Sequence, residues 1–359
     1  MEASGVSSAN GVAARLGLRV GRETLVRAVV IVALLAFALF ALPAALSPYW
    51  MGVLTTTAVY AVAALGCGLL IGRVGLVSLG QIAILAIGAW ISARLLFWTS
   101  IPFPLVLLAA GVLTGVVGAI VGLPALRLSG LYLALITLMF AGGVTVVLTA
   151  TNFPNGGHGF LGHTDSSFGN PGLRRPGLAL SDPAYYRYTV IVSAVLFLLV
   201  LWHVSSKPGR AWAAIRQSEP AALAAGINIT LYKLWAFALA AFVTGVAGGL
   251  LGASVGKLYN YQFPTKDSIV LFAVTLMGGI YSLWGAIVAG FLVRTLPAIL
   301  NVWNLPPDLL IILFGIGVLQ VLITAPAGLV DQFPKDMARL GRLLYGLARR
   351  AASVGRAGA

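Results

Sequence analysis

The feature that most limits what this chain can fold into is the length of its apolar runs. They recur at roughly 17 to 25 residues, the length at which an α-helix crosses the hydrocarbon core of a bilayer. The marked runs are 26–46, 50–72, 76–97, 103–123, 130–150, 188–204, 234–254, 268–281, 285–300 and 308–325. A membrane β-barrel needs shorter, alternating segments instead. Composition agrees: of 359 residues, 60% are hydrophobic and only 9% charged, against about 25% charged in a soluble domain. The expected fold is all-α, a polytopic helical membrane bundle of about ten spans. The run from Val26 to Leu46 is too long for a cleaved signal peptide and reads as a retained first span.

The net charge of +14 is a matter of membrane orientation, not of nucleic acid, because the arginines flank greasy segments. With both termini cytoplasmic, sixteen Lys and Arg lie inside and six outside, Arg294 being left out because it falls within a span. That bias is the one expected for this orientation. Three domains are then expected: a cytoplasmic segment 1–25, a transmembrane domain 26–330, and a basic cytoplasmic tail 331–359. Residues 151–187 form a long outside loop rich in Gly, Asn, Pro and Ser, and residues 205–233 form a cytoplasmic loop. The tail is placed along the anionic leaflet or free in solvent.

Several spans are interrupted. "GRVGLVSLGQIAILAIGAW" and "VTLMGGIYSLWGAIVAG" both break an apolar run with Gly and Ser. Irregular backbone at membrane depth survives only where protein or a wet cavity satisfies it, and paired broken segments point to a transport pathway. Glycine also serves close helix packing. The polar residues in or near such segments, Ser78, Gln81, Thr137 and Ser282, are candidates for lining a pathway or for bonding helix to helix.

The sequence argues against an internal power source. None of the nine carboxylates lies in the middle of a span, and the stretch between Glu23 and Asp165 has none. Intramembrane Asp, Glu or His relays are the usual mark of proton-driven carriers. His158 and His163 are in the outside loop and His203 is near a span end; two histidines in a glycine loop read as surface residues, not a metal site. Cys67, the single cysteine, reads as a small buried hydrophobe. A phosphate-cradling loop needs G-x-x-x-x-G-K-[ST]; of five lysines only Lys257 follows a glycine, and Leu258 comes next. Nothing forms a catalytic constellation, so no enzyme activity and no cofactor of its own are expected. Uphill transport would draw energy from another subunit.

One polar, alanine-rich block then finds a use. "GRAWAAIRQSEPAALAAGINITLYK" begins at Gly209. Gly209 to Gln217 reads as a helix with Trp212 and Ile215 on one face. Ser218 is the N-cap of a second helix with Pro220 in its first turn, and Gly226 is its C-terminal stop. The alanines make a smooth surface for a groove on a partner, with Arg210, Arg216 and Glu219 available for charge pairs at its rim.

This block and the span after it resemble the hallmark region of inner-membrane permeases of branched-chain amino-acid ABC importers. Arg210, Ala214, Ile215, Arg216, Glu219, Ala222, Gly226, Ile227, Asn228 and Lys233 line up with the family pattern. "GLVSLGQIAILAIGAW", "LYLALITLMF" and "DSIVLFAVTLMGGIYSLWGAIVAG" are similar to three further family motifs, and the resemblance runs from about Tyr60 to Ala325. The long outside loop makes the chain most similar to the M-type permease. The resemblance implies a complex of two homologous permeases, two cytoplasmic ATPases that use ATP and Mg, and a solute-binding protein outside. It implies a coupling role for Arg210, Ile215, Arg216, Glu219, Ala222 and Gly226. The chain departs from the pattern at Tyr281, where the family has a small residue, at Ala141-Gly142-Gly143, at Pro220 and at "NFPNGGHGF". Related permeases carry urea or short amides, so the solute stays open between these and hydrophobic amino acids. An ATP-independent carrier is the remaining alternative.

Overall fold

The computed structural model describes residues 22–128, 130–150, 175–256, 258–304, and beyond these 306, 312, 315–319, 323, 328–330 and 332. Residues 1–21, the 151–174 part of the expected outside loop with His158 and His163, and the tail from 333 lie outside the described residues, as does most of the expected 308–325 span.

Among the described residues the regular structure is entirely helical. Six helices are long and apolar enough to cross a membrane. The elements are α1 (Arg22–Ala36, continuing through a π-helical turn Phe37–Ala41 into Leu42–Ala45), α2 (Pro48–Gly68, continuing as a π-helical stretch Leu69–Val74), α3 (Gln81–Trp98), α4 (Phe103–Val121), α5 (Gly130–Ala150) and α6 (Asp182–Ser205). They are followed by α7 (Lys207–Gln217), α8 (Glu219–Ala224), α9 (Ile229–Val255), α10 (Lys266–Gly278), α11 (Leu283–Gly290, continuing through a π-helical turn Phe291–Thr295) and α12 (Leu296–Val302). Residues Met1–Met51 and Gly52–Ala359 form two compact units. In the first, Val29, Ile31, Val32, Leu34, Phe37 and Phe40 are all exposed, the apolar-all-round pattern of a helix in lipid.

In the second unit α9 is the central post, packed against α3 and α4 along its length. Its sequence explains this. "TGVAGGLLGA", Thr244–Ala253, is a stripe of small residues that lets neighbouring backbones approach, the packing that replaces hydrophobic driving force in lipid. A side chain at Gly88 of α3 would overlap the backbone of Gly245, and one at Gly248 would overlap the Leu85 carbonyl. Residues of α4, α5 and α6 on the opposite faces, among them Leu108, Val116, Met139 and Leu198, are exposed. Apolar surface of that extent belongs to a lipid or subunit boundary.

Several expected boundaries shift, among them the start at 234, which moves to Ile229 behind the Asn228 cap. The span expected at 188–204 starts at Asp182, because Ser181 caps α6 by accepting from the Ala184 N–H and Pro183 fits the first turn. The span expected at 76–97 starts only at Gln81: Gly75, at φ +83°, ends the preceding helix in a left-handed turn, and 75–80 are not helical. The region expected as spans 268–281 and 285–300 is one 13-residue helix, α10, and one helix bent by a π turn. They are separated at Gly279, whose φ of +118° is open to glycine alone.

Gly88→Val should lower the stability of the purified protein by about 1–3 kcal/mol through overpacking, read as a lower denaturation midpoint in detergent. Gly142→Ala, where an added Cβ meets nothing within 4 Å, should leave the midpoint unchanged or raise it.

Candidate functional site

The polar block folds from local rules. Pro208 lies in the first turn of α7, and its last residue, Gln217, is followed by Ser218 in extended backbone. The Ser218 Oγ accepts from the Ala221 N–H at 3.4 Å and opens α8. The far end is a Schellman motif: Gly226, at φ +78°, donates to the Leu223 carbonyl, and Ile227 donates back to the Ala222 carbonyl. Asn228 then caps α9, its Oδ1 accepting from the Leu231 N–H at 3.0 Å.

Three contacts fasten this block to the bundle. Trp212 is fully buried and its Nε1 donates to the Tyr232 carbonyl at 2.8 Å. Ile215 and Ala222 are buried beside it. Lys233, in the first turns of α9 and 3% exposed, forms an ion pair with Glu219 at 2.8 Å. The third contact is Arg216. Its Nη1 donates to the Gly72 carbonyl at 2.7 Å, and its guanidinium lies 4.5 Å from the centre of the Tyr281 ring. Such a cation–π contact is worth about 0.5–2 kcal/mol, depending on its desolvation.

Gly72 lies in the π-helical stretch that ends at the first interruption, 75–80, and Tyr281 lies in the second, 279–282. The two segments touch: a Cβ on Gly72 would overlap the Ile280 carbonyl, and Arg73 Nη2 donates to the Tyr281 carbonyl at 2.9 Å. Arg216 therefore reaches from the polar block to the edge of the first interruption and to the second at once. Around them is a narrow crevice bounded by Leu65, Leu69, Arg73, Val204, Thr275 and Ser282.

The four pathway candidates divide. Thr137 accepts from the Leu79 N–H at 2.8 Å and donates to the Leu133 and Ala134 carbonyls, so it satisfies the irregular backbone of the first interruption. Gln81 accepts from Thr244 of α9 at 2.9 Å, and Ser78 is buried nearby. All three serve the first interruption. Ser282 is apart from them, in the second, where it borders the crevice. Of the coupling candidates, Ile215 and Ala222 face inward, Glu219 and Arg216 are held within the chain, and Arg210 and Gly226 are exposed. Glu219 and Arg216 keep exposed surface while holding these contacts within the chain. The outward face is Ala213, Gln217, Pro220, Ala221, Leu223 and Ala224.

Sequence reasoning used Arg73 only as an orienting charge and noted Tyr281 only as a departure from a family pattern. Arg73 reaches Tyr281 across 208 residues of chain and Arg216 reaches Gly72 across 144, and no spacing rule links them. A large aromatic at a position that a family pattern keeps small was the available signal. Arg294, left out of the orientation count because it falls within a span, donates from Nη2 to the Tyr60 hydroxyl at 2.6 Å and lies 4.1 Å from that ring's centre. No three His, Cys, Asp or Glu residues come together as a metal site among the described residues.

Helices of membrane-spanning length, broken in two places and carrying a polar helical block, define a polytopic membrane protein. Residues 49–322 match the profile of the family described as "Branched-chain amino acid transport system / permease component", and the chain belongs to that family. It is 31% identical over 327 residues, 84% of this chain and 74% of the relative, to the "High-affinity branched-chain amino acid transport system permease protein LivM" of Escherichia coli strain K12. The LivM protein of Salmonella typhimurium is 30% identical over 300 residues, 77% of this chain and 68% of its own. A more distant relative, the "Ribose import permease protein RbsC" of Bacillus subtilis, is 27% identical over 135 residues, 36% of this chain and 42% of its own. No solved structure matches.

Trp212→Ala should cost about 3–5 kcal/mol and release α7 from the bundle. Limited proteolysis of the purified protein should then cut between 205 and 228 at least tenfold faster than in the wild type, an opening equilibrium shifted by more than about 1.4 kcal/mol.

Proposed function

We propose that this chain is one permease half of an ATP-driven importer that carries branched-chain or related hydrophobic amino acids across the inner membrane. Its companions are a second homologous permease, two cytoplasmic ATPases that consume ATP and Mg, and a solute-binding protein outside. Both termini and the polar block are on the cytoplasmic side. Family membership and the two LivM relatives support the solute class. Permeases of this kind are transport subunits, and the ATPase chemistry is assigned to the companion chains.

The observation that carries the reading is Arg216. A motor docked on the alanine face of α7 and α8 moves a lever that is bolted through Trp212 and tied by Arg216 to both interruptions. Displacing the lever withdraws the guanidinium from the Gly72 carbonyl and the Tyr281 ring together. The crevice edge with Arg73 and Ser282 is then free to rearrange. Coupling of this sort is reciprocal: solute-loaded binding protein outside changes ATP turnover inside. The charge separation at the lever supports the same reading, because a guanidinium held by a carbonyl and a ring can leave and return without breaking an ion pair.

In proteoliposomes holding the complete complex, Arg216→Glu and Glu219→Lys should reduce solute uptake per ATP hydrolysed at least tenfold, while both variants still insert and assemble. Uptake and ATPase rates are read in the same vesicles. Wild-type coupling in both variants sinks the lever. Uptake of leucine by this chain alone, with no companion, selects an ATP-independent carrier instead, and uptake of urea in preference to leucine selects the amide branch of the family.

A further inference from the structure

The crevice between α2, α6 and the segment that joins α10 to α11 has a chemistry that the lever does not use. In its lining Arg73 is the one charge, and Thr275 and Ser282 supply hydroxyls. The other side chains are aliphatic, Leu65, Leu69 and Val204 among them. No Asp, Glu or aromatic ring lines it among the described residues.

Contacts fix where the charge lies. Arg73 Nη2 donates to the Tyr281 carbonyl at 2.9 Å, which brings the guanidinium to the residue next to Ser282. That bond uses one of five N–H donors on a planar fork, whose shape suits a carboxylate held by two parallel bonds. Yet the ion pairs of the described residues are Arg175–Asp182 and Lys233–Glu219, and Arg73 is in neither. Ser282 stands at the N-cap of α11, but its side chain makes no cap bond. Thr275, by contrast, is committed to the Leu271 carbonyl at 2.6 Å. A half-buried arginine near the end of a membrane-spanning helix, with no carboxylate of the chain to balance it, marks the path of a solute or ion.

The geometry points to this crevice as a subsite for a short branched aliphatic carboxylate, with Arg73 and Ser282 taking the carboxylate and the aliphatic walls taking the side chain. The inference rests on the amino-acid importer reading and deepens it, by stating which half of the solute this chain reads. With no acid in the lining, no charge here pairs an α-ammonium. Leucine and its deaminated analogue are therefore equivalent at this point. An amine brings a cation to a cation, the repulsive element by which a site rejects a wrong ligand. In this structure the crevice has room for about one water molecule, and the occupied form is wider. Tyr281, whose carbonyl holds Arg73, is also the residue that Arg216 of the lever covers.

The test is equilibrium binding of four radiolabelled compounds, each measured directly, to the full-length protein in lipid nanodiscs: leucine, 4-methylpentanoate, 4-methylpentanamide and 3-methylbutylamine. In the wild type leucine and 4-methylpentanoate should bind within about threefold of each other, and the amide and the amine at least tenfold more weakly. Arg73→Gln should bring the acid down to the level of the amide and leave the amide unchanged. Arg73→Lys, which keeps the charge, should retain at least a threefold preference for the acid over the amide. A purely structural role for Arg73 lowers acid and amide alike in both variants, and that result overturns the site. It is equally overturned if the wild type binds neither leucine nor the acid, if the amine binds as well as leucine, or if Arg73→Gln keeps the wild-type ratio of acid to amide. If the carboxylate preference depends on Arg73 but the complete complex pumps no amino acid with ATP, the site stands and the importer reading fails. ATP-driven leucine uptake together with binding that ignores Arg73 removes the site and leaves the importer.

Discussion

Two stretches of non-helical backbone, at 75–80 and 279–282, interrupt the long helices, and such backbone at membrane depth survives only where protein or a wet cavity satisfies it. Much of the architecture answers that demand. Thr137 supplies the acceptor for the Leu79 N–H, Arg73 donates to the Tyr281 carbonyl, and Arg216 donates to the Gly72 carbonyl. The first is a fixed strut within the bundle. Arg216 is different, because it belongs to a helix that faces water. The end of the π-helical stretch before the first interruption is therefore completed by a side chain from a separate helix, α7.

The rest of the fold gives that arrangement something rigid to work against. Close packing of α3 and α4 on the small-residue stripe of α9 leaves no slack, since side chains at Gly88 or Gly248 would collide with backbone. Lever and post are continuous: α8 ends in the Gly226 turn, Asn228 caps α9, and Lys233 ties α9 back to Glu219. Through these ties α7 and α8 are joined both to α9 and, by Arg216, to the backbone beside the two interruptions.

Much of this was legible in the sequence. Apolar run lengths located the long helices, and cap chemistry located α7 and α8: Ser218, Pro220 and Gly226 do what their residue types require. Boundaries set by apolar counts failed where polar caps carry a helix beyond its greasy part, as Ser181 does for α6, and where apolar backbone is irregular, as 75–80 is between Gly75 and the late start of α3. Internal partnerships were the illegible part. Glu219 and Arg216 were read as available for charge pairs with a partner, and both also hold contacts within the chain, one to Lys233 and the other to the Tyr281 ring. These contacts depend on how separate helices converge in space, and the period of a single helix carries no trace of that.

The most direct test of the tie between lever and interruptions is the rate at which a thiol at Ser282 is labelled by a small water-soluble maleimide in the assembled complex, with and without ATP. Cys67 is buried and does not interfere. For Ser282→Cys alone, the rate should change severalfold when ATP is added. Combined with Arg216→Gln, it should become insensitive to ATP while hydrolysis continues. The same ATP-dependent change in both proteins would contradict the account.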